Sequence, residues 1–347
     1  MAKRTFNNLG PRIASAGGFQ IKNGASFESG TGFPKSGTAG TTVRGGEGGS
    51  PGGLYIDEST GVMFINEGSA ASPYWTPINF NQRGLLGWDT DFTRGMSIDS
   101  PLGEAAPNTF VEALGAGIAD TRASKTLTDG IRVHGQGIAE TDAGLVVTMS
   151  DQGAVGQLRT TDEDAHVSVI SVGNGTVPVY QPDQNGTMVV DVVYASPSDL
   201  TATAAFVGFC GSAADALDPI MTFSGTTISF AATIGDDVAG LVWSSELTNN
   251  DRWFAPHDKD NANASIATSA TGVDTGVDIV FDVYQRLRVE CDSNGTVRMF
   301  IDKVLKSTFL LALEVTEEVH PMFYVESSAA AVANANLKRF SAWGVRP

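Results

Sequence analysis

Four histidines, His134, His166, His257 and His320, are the first residues to weigh for chemistry. They are too dispersed to form a metal motif such as His-Glu-x-x-His, and each is expected at a surface or a turn. Glu140 and Asp142 alternate, so on a strand they would share one face, as a bond-cleaving acid and base must. The chain continues Ala143-Gly144-Leu145, with no further carboxylate in those positions. The glycines of 45–53 are dense enough for a phosphate cradle or a nucleophile elbow. No helix-forming segment follows them, so they read as linker. Asp236-Asp237 and Asp258-Lys259-Asp260-Asn261 offer oxygen ligands for calcium, but neither has a full calcium-loop spacing, and solvated acidic loops are expected. No metal, no cofactor and no catalytic residue is expected.

A binding surface is the remaining chemistry. Trp243 and Trp253 flank Asn249-Asn250-Asp251, and aromatic faces beside amides and carboxylates suit a carbohydrate. Trp243, Asn250, Asp251 and Trp253 are therefore the candidate sugar-binding residues, with core packing of both tryptophans as the plain alternative. Cys210 and Cys291 are too few for a disulfide framework and are expected as buried thiols. Asn174, Asn185, Asn263 and Asn294 each begin an Asn-x-Ser/Thr triplet; three of them are Asn-Gly pairs and mark turns.

The elements that would position these residues are strands. Leu145–Met149, Val167–Val172, Met188–Tyr194, Ala204–Phe209, Ile228–Ile234 and Ile279–Val283 are short β-branched runs punctuated by turn residues, the pattern of an all-β sandwich. Leu287, Val289 and Cys291 alternate with Arg286, Arg288 and Glu290, then Val297, Met299 and Ile301 alternate back after Asp292-Ser293-Asn294-Gly295. That predicts a β-meander over 285–305 with one wet and one dry face. A last strand is expected over 335–345. Upstream, Leu54–Asp57 and Val62–Asn66 around Glu58-Ser59-Thr60-Gly61 predict a hairpin, with a further strand near Tyr74–Ile78. Residues 80–130 read as a connecting segment with a weak helix over 108–120.

Charge divides the chain. Apolar residues at 41% allow a large core, and a net charge of −17 argues against a nucleic-acid binder. Residues 1–53 hold six Lys/Arg against two acids, a net +4, which leaves −21 on the remainder. The same segment holds fourteen of the forty glycines, too many to bury its own surface. It is expected as an extended arm ordered by a partner. Neither a secretory signal nor a membrane span is expected, since no apolar run is long enough.

The run Arg286-Leu287-Arg288-Val289-Glu290 … Asn294-Gly295-Thr296-Val297-Arg298-Met299-Phe300-Ile301-Asp302-Lys303-Val304-Leu305, with Met322–Ser327 and Leu337–Trp343, resembles the closing meander of concanavalin A/laminin-G-like jelly rolls. Some jelly rolls of this type, the laminarinase-like enzymes, are hydrolases, and the incomplete Glu140-Thr141-Asp142 argues against that activity. Leu158–His166 and Ser245–Trp253 resemble jelly-roll structural proteins of tailed-phage virions. Gly53–Gly61 and Ala71–Pro77 resemble a small β motif of phage fibre, spike and head-decoration proteins.

The sequence therefore predicts an arm (1–53), a small β motif (54–79), a connecting segment (80–130) and a jelly-roll β-sandwich (131–347). The resemblance implies a virion protein on the capsid surface, commonly trimeric. Arg4, Phe6, Arg12, Phe19, Lys22, Phe27, Phe33 and Arg44 would bind the major capsid protein. The alternative is a tail fibre or receptor-binding protein whose jelly roll takes a host-surface glycan. In either setting the chain is expected to be a structural or binding protein, with no nucleic-acid or membrane partner.

Overall fold

The computed structural model describes residues 19–20, 26–37, 51–80, 82, 84–92, 122–126, 131–136, 144–150, 153–160, 164–172, 180–196, 200–211, 219–231, 237–260, 262–329 and 331–346. They form two compact units. The first carries β1 (Phe19–Gln20), β2 (Ser26–Gly30), β3 (Leu54–Asp57), β4 (Met63–Asn66) and β5 (Trp75–Pro77), hydrogen-bonded in that order into one sheet. The expected hairpin is β3–β4. Asp57 closes its turn by accepting from Ser59 Oγ at 2.7 Å and Thr60 Oγ1 at 2.5 Å. The same carboxylate accepts from Gly32 N at 2.6 Å, and β2 runs parallel to β3. Residues 26–37, expected in the arm, are thus built into this unit. Phe33 packs edge-on against Phe64 at 4.8 Å, and Ser36 Oγ accepts from Trp75 N.

The second unit is a sandwich. Its strands include β6 (Leu85–Thr90), β7 (Arg122–Thr126), β8 (Ile131–Gln136), β9 (Gly144–Ser150), β10 (Gly153–Arg159) and β11 (Val167–Val172). A single helical turn, α1 (Pro182–Asn185), precedes β12 (Met188–Ala195), β13 (Thr203–Cys210), β14 (Met221–Ser224), β15 (Thr227–Phe230) and β16 (Val238–Ser244). Then come β17 (Arg252–Phe254), β18 (His257–Asp258), β19 (Ser265–Ala267), β20 (Asp274–Asp278) and β21 (Gln285–Cys291). The chain ends with β22 (Val297–Ile301), β23 (Val304–Phe309), β24 (His320–Ser327) and β25 (Asn334–Val345). One sheet has the order β23-β22-β21-β12-β25-β10-β9, the other β20-β17-β16-β13-β24-β11-β8-β7, and from β22 to β9 in the first and throughout the second the neighbouring strands run antiparallel.

Several neighbours in these sheets, among them β12 and β25, β10 and β25, and β13 and β24, are distant in sequence, as a jelly roll requires. Strand β7 sits in the second sheet although 122–126 was expected in the connector. The predicted helix over 108–120 lies outside the described residues. Inward-facing side chains of the two sheets meet in the core: Tyr194 on β12 contacts Trp253 on β17 at 5.9 Å and Phe323 on β24 at 5.2 Å.

The meander over 285–305 is β21–β22–β23, as predicted. Its wet face is not wet. On β21 and β22 both faces are buried, and Arg288 has 0% exposure. The charges survive there because they are paired. Asp191 on β12 accepts from Arg286 Nη2 at 2.8 Å and Arg288 Nε at 2.6 Å. Arg288 reaches Glu290 at 3.3 Å, Glu290 meets Arg298 at 3.3 Å, and Arg298 grips Asp292 at 2.7 and 2.8 Å. The Arg288 guanidinium also lies 4.9 Å from the Trp343 ring centroid. Alternation of polar and apolar residues correctly located the strands. It could not show that the polar face would be covered, because Asp191, the partner of Arg286 and Arg288, comes from β12, nearly a hundred residues away.

The outer face of the other sheet is apolar. Phe206, Val242, Met322 and Tyr324 form a second core with Met221, Phe223 and Ile228 of the small sheet β14-β15-β19. Gly208 and Gly240 face each other on β13 and β16. A Cβ on either would stand 2.3 Å from a backbone carbonyl oxygen, so the Phe206 ring closes over this spot only because both are glycine.

Candidate functional site

One edge of the sandwich gathers exposed apolar and polar groups on two adjoining loops. Strand β16 ends at Ser244, and the chain turns through 245–251 into β17, which pairs with β20. The loop after β20, residues 279–284, leads into β21. Ile279 N donates to Asp251 O at 2.5 Å, which ties the two loops together. Asp282 N donates to Ser196 O at 2.9 Å, and Val283 N closes a turn on Val280 O at 3.1 Å. Asp282 takes the left-handed region at φ 55, which an Asx side chain tolerates better than most.

This turn holds Val280 at 52% exposure, Phe281 at 51% and Val283 at 48%. Asn249, Asn250 and Asp251 are exposed on the adjoining loop. Arg252 bridges Asp274 at 3.2 Å and Asp278 at 3.1 Å, and the Lys338 ammonium lies 3.9 Å from the Tyr284 ring centroid.

Ile279–Val283 was expected to be a strand. It is this loop instead. The β-branched residues suit a strand, but the fold gives the segment no ladder partner and instead pins it by Asp251 and Ser196. Phe281 was therefore missed as a surface residue. The one sequence signal was Asp278 and Asp282 bracketing a short apolar run, which fits a protruding turn as well as a strand.

Of the four predicted sugar-binding residues, Asn250 and Asp251 stand on the surface and the two tryptophans do not. Trp243 and Trp253 both have 0% exposure, so neither ring can stack on a sugar in this structure. Core packing is the correct reading for both. Their polar ends are satisfied internally, as buried indoles require. Trp243 Nε1 donates to Tyr194 Oη at 3.3 Å, and Trp253 Nε1 donates to Gln285 Oε1 at 2.9 Å. Gln285 Nε2 then donates to Asp278 O at 3.0 Å, and Thr275 Oγ1 donates to Trp253 O at 2.6 Å. Trp253 thus braces the loop from below.

Among the predicted capsid-binding residues, Arg4, Phe6, Arg12, Lys22 and Arg44 lie outside the described residues. Phe19 falls on β1 and Phe27 on β2. Phe33 corrects the expectation: it is buried in the small unit's own core, where its ring contacts Phe64, and is not available as an anchor.

The other chemistry-bearing groups are structural in their surroundings. Asp237, read as a possible calcium ligand, is buried and ties two loops, accepting from Asp260 N at 3.0 Å and Glu314 N at 2.6 Å. Burial, with the neighbouring charges of Asp260 and Glu314, pushes its carboxyl up to about 6 despite these hydrogen bonds. Asp258 is spent on Asn263, from whose backbone N it accepts at 2.9 Å. Asp236, Asn261, Glu140 and Asp142 lie outside the described residues. Among the described residues no group of three or more His, Cys, Asp and Glu is placed to hold a metal ion.

His257 stacks on Phe309 at 4.0 Å, and burial lowers its basicity. His320 and both cysteines are buried, and burial drives the Cys291 thiol far above its ordinary value. Glu326 is buried on β24, and its carboxyl is raised by that burial and by the charges of Glu246 and Asp164. It is 4% exposed and so closed to a substrate.

No protein-family profile and no curated protein matches the chain. Solved structures resemble it only at a distance. A protein of unknown function from Shewanella oneidensis MR-1 is 10% identical, with 68% of this chain and 90% of that chain aligned at a TM-score of 0.43. The carbohydrate recognition domain of Emp47p is 8% identical, over 64% and 91%, at 0.39. The cellulose induced protein Cip1 is 9% identical, over 57% and 84%, at 0.37. None of these likenesses is close enough to carry an activity over to this chain.

Proposed function

We propose that the chain is a non-catalytic glycan-binding protein whose jelly-roll sandwich presents a sugar platform on the loops 249–251 and 279–283. The observation that carries this reading is the exposed Phe281, set among Val280 and Val283 on a loop that Ile279 N ties to Asp251 O, next in the chain to Asn250. An aromatic face receives the C–H side of a sugar ring while amide and carboxylate oxygens accept from its hydroxyls. The platform is anchored at Asp251 O, Ser196 O and, through Gln285, Trp253, so it is held in place before a ligand arrives.

The setting that fits this reading is a tail fibre or receptor-binding protein engaging a host-surface glycan. Capsid decoration is the weaker account, because Phe33 and the strand around Phe27 belong to the small unit's own fold. The test is binding of the full-length protein to a broad glycan panel, repeated with Phe281→Ala. Binding that the variant loses supports the reading. Glycan binding that the variant retains moves the platform elsewhere, and the absence of any bound glycan removes it.

A further inference from the structure

The same edge carries a charge pattern that sorts glycans. Resting on the glycan-binding reading, the geometry points to a ligand that lacks acidic groups, a glycan with no uronate, sulfate or sialate. Five carboxylates line the two loops and β20: Glu246, Asp251, Asp274, Asp278 and Asp282. Among the described residues Arg252 and Lys338 stand beside them, and both are engaged. Arg252 is gripped by Asp274 and Asp278, and Lys338 is held over the Tyr284 ring.

An acidic sugar needs a guanidinium or ammonium turned toward it, best in a bidentate pair. At this edge the guanidinium fork is already occupied by two carboxylates of the protein. A neutral sugar needs the opposite, acceptors for its hydroxyls, and Asn249, Asn250, Asp251 and Asp282 supply them around the apolar turn.

The wider field acts in the same direction. The chain beyond residue 53 carries −21, so a polyanion approaches against repulsion and its association slows. That repulsion is screened by salt, whereas stacking and neutral hydrogen bonds are not. Salt therefore separates the two kinds of ligand.

The experiment compares the full-length protein on neutral glycans (β-glucan, mannan, galactan, chitooligosaccharides) and acidic ones (alginate, pectate, polysialate, heparin). Each is measured at ~0.02 M and ~0.5 M salt, either side of the screening length of the site. The expected result is binding of at least one neutral glycan that changes less than about 2-fold with salt. Every acidic glycan should bind at least about 10-fold more weakly at low salt. Tighter binding of an acidic glycan at low salt, abolished by Phe281→Ala, would overturn the charge inference and leave the platform standing. Binding of neither class would overturn both.

Discussion

Trp253 and Gln285 are joined through the core: the indole Nε1 donates to the amide Oε1 at 2.9 Å, and the same amide donates onward to Asp278 O at 3.0 Å. A residue that looks like a ligand platform in the sequence is instead the foundation of the loop that presents one. Trp253→Ala should therefore act on stability first, costing about 3–5 kcal/mol as a truncation of a large buried aromatic. Chemical denaturation measures it. An unchanged midpoint with lost glycan binding would return the tryptophan to the surface role that the sequence suggested.

Phe281→Ala should do the reverse. The ring is half exposed, so its removal is expected to shift stability by less than about 0.5 kcal/mol while glycan binding falls at least about 10-fold. Thermal unfolding and calorimetric titration of one preparation separate the two effects.

Asp191 is the hinge of the buried ion network. Burial pushes its carboxyl up, but Arg288 and Arg286 outweigh that and hold it well below the usual carboxylate range. Asp191→Ala leaves the buried Arg288 and the partly buried Arg286 without their shared partner and should cost about 3–5 kcal/mol. The depressed folded value means that this stabilisation is present above the unfolded pKa near 3.8 and is lost only as pH falls below it. Urea midpoints of the wild type and the variant should converge in strong acid and differ at pH 7; a constant difference across that range would show that Asp191 is not ionised in the fold.

Asp237 predicts the opposite slope. Its folded value of about 6 lies above the ordinary 3.8, so between these values the folded chain binds more protons than the unfolded one. Stability from this group is full below about pH 3.8 and is lost as pH rises through about 6, by up to ~3 kcal/mol. Glu326, also raised by burial, adds to the loss in the same direction. Denaturation between pH 4 and pH 8 should show the decline, and Asp237→Asn should flatten it; a variant with the wild-type slope would assign the titration to another group.

Phe33→Ala tests whether this part of the predicted arm is anchor or core. As core, it should destabilise the small unit by about 3 kcal/mol, visible as protease sensitivity of residues 26–80. Intact protease resistance with altered particle association would restore the anchoring role.

The strands were legible because their signals are local. Alternation at Leu287–Cys291 and Val297–Ile301, turn residues at Glu58–Gly61 and the β-branched run Met188–Tyr194 each state their own conformation. The platform was hidden for the same reason. Ile279–Val283 has the composition of a strand, and only the lack of a pairing neighbour, with Asp251 O and Ser196 O in its place, makes it a loop. The tryptophans misled because a local reading sees an aromatic beside amides and cannot see that Tyr194 and Gln285 have already taken its polar atoms.

The amino-acid sequence by itself determined the all-β class, the hairpin at 54–66, the closing meander and the −21 charge of the body, because side-chain period and composition are carried in short stretches of chain. Tertiary structure alone decided which faces of those strands are dry, that Arg288 lives at full burial, and that Phe281 rather than Trp243 or Trp253 meets the solvent. Those outcomes depend on partners such as Asp191 and Gln285 that pairing across the sheets delivers from distant points in the chain, and no local pattern encodes them.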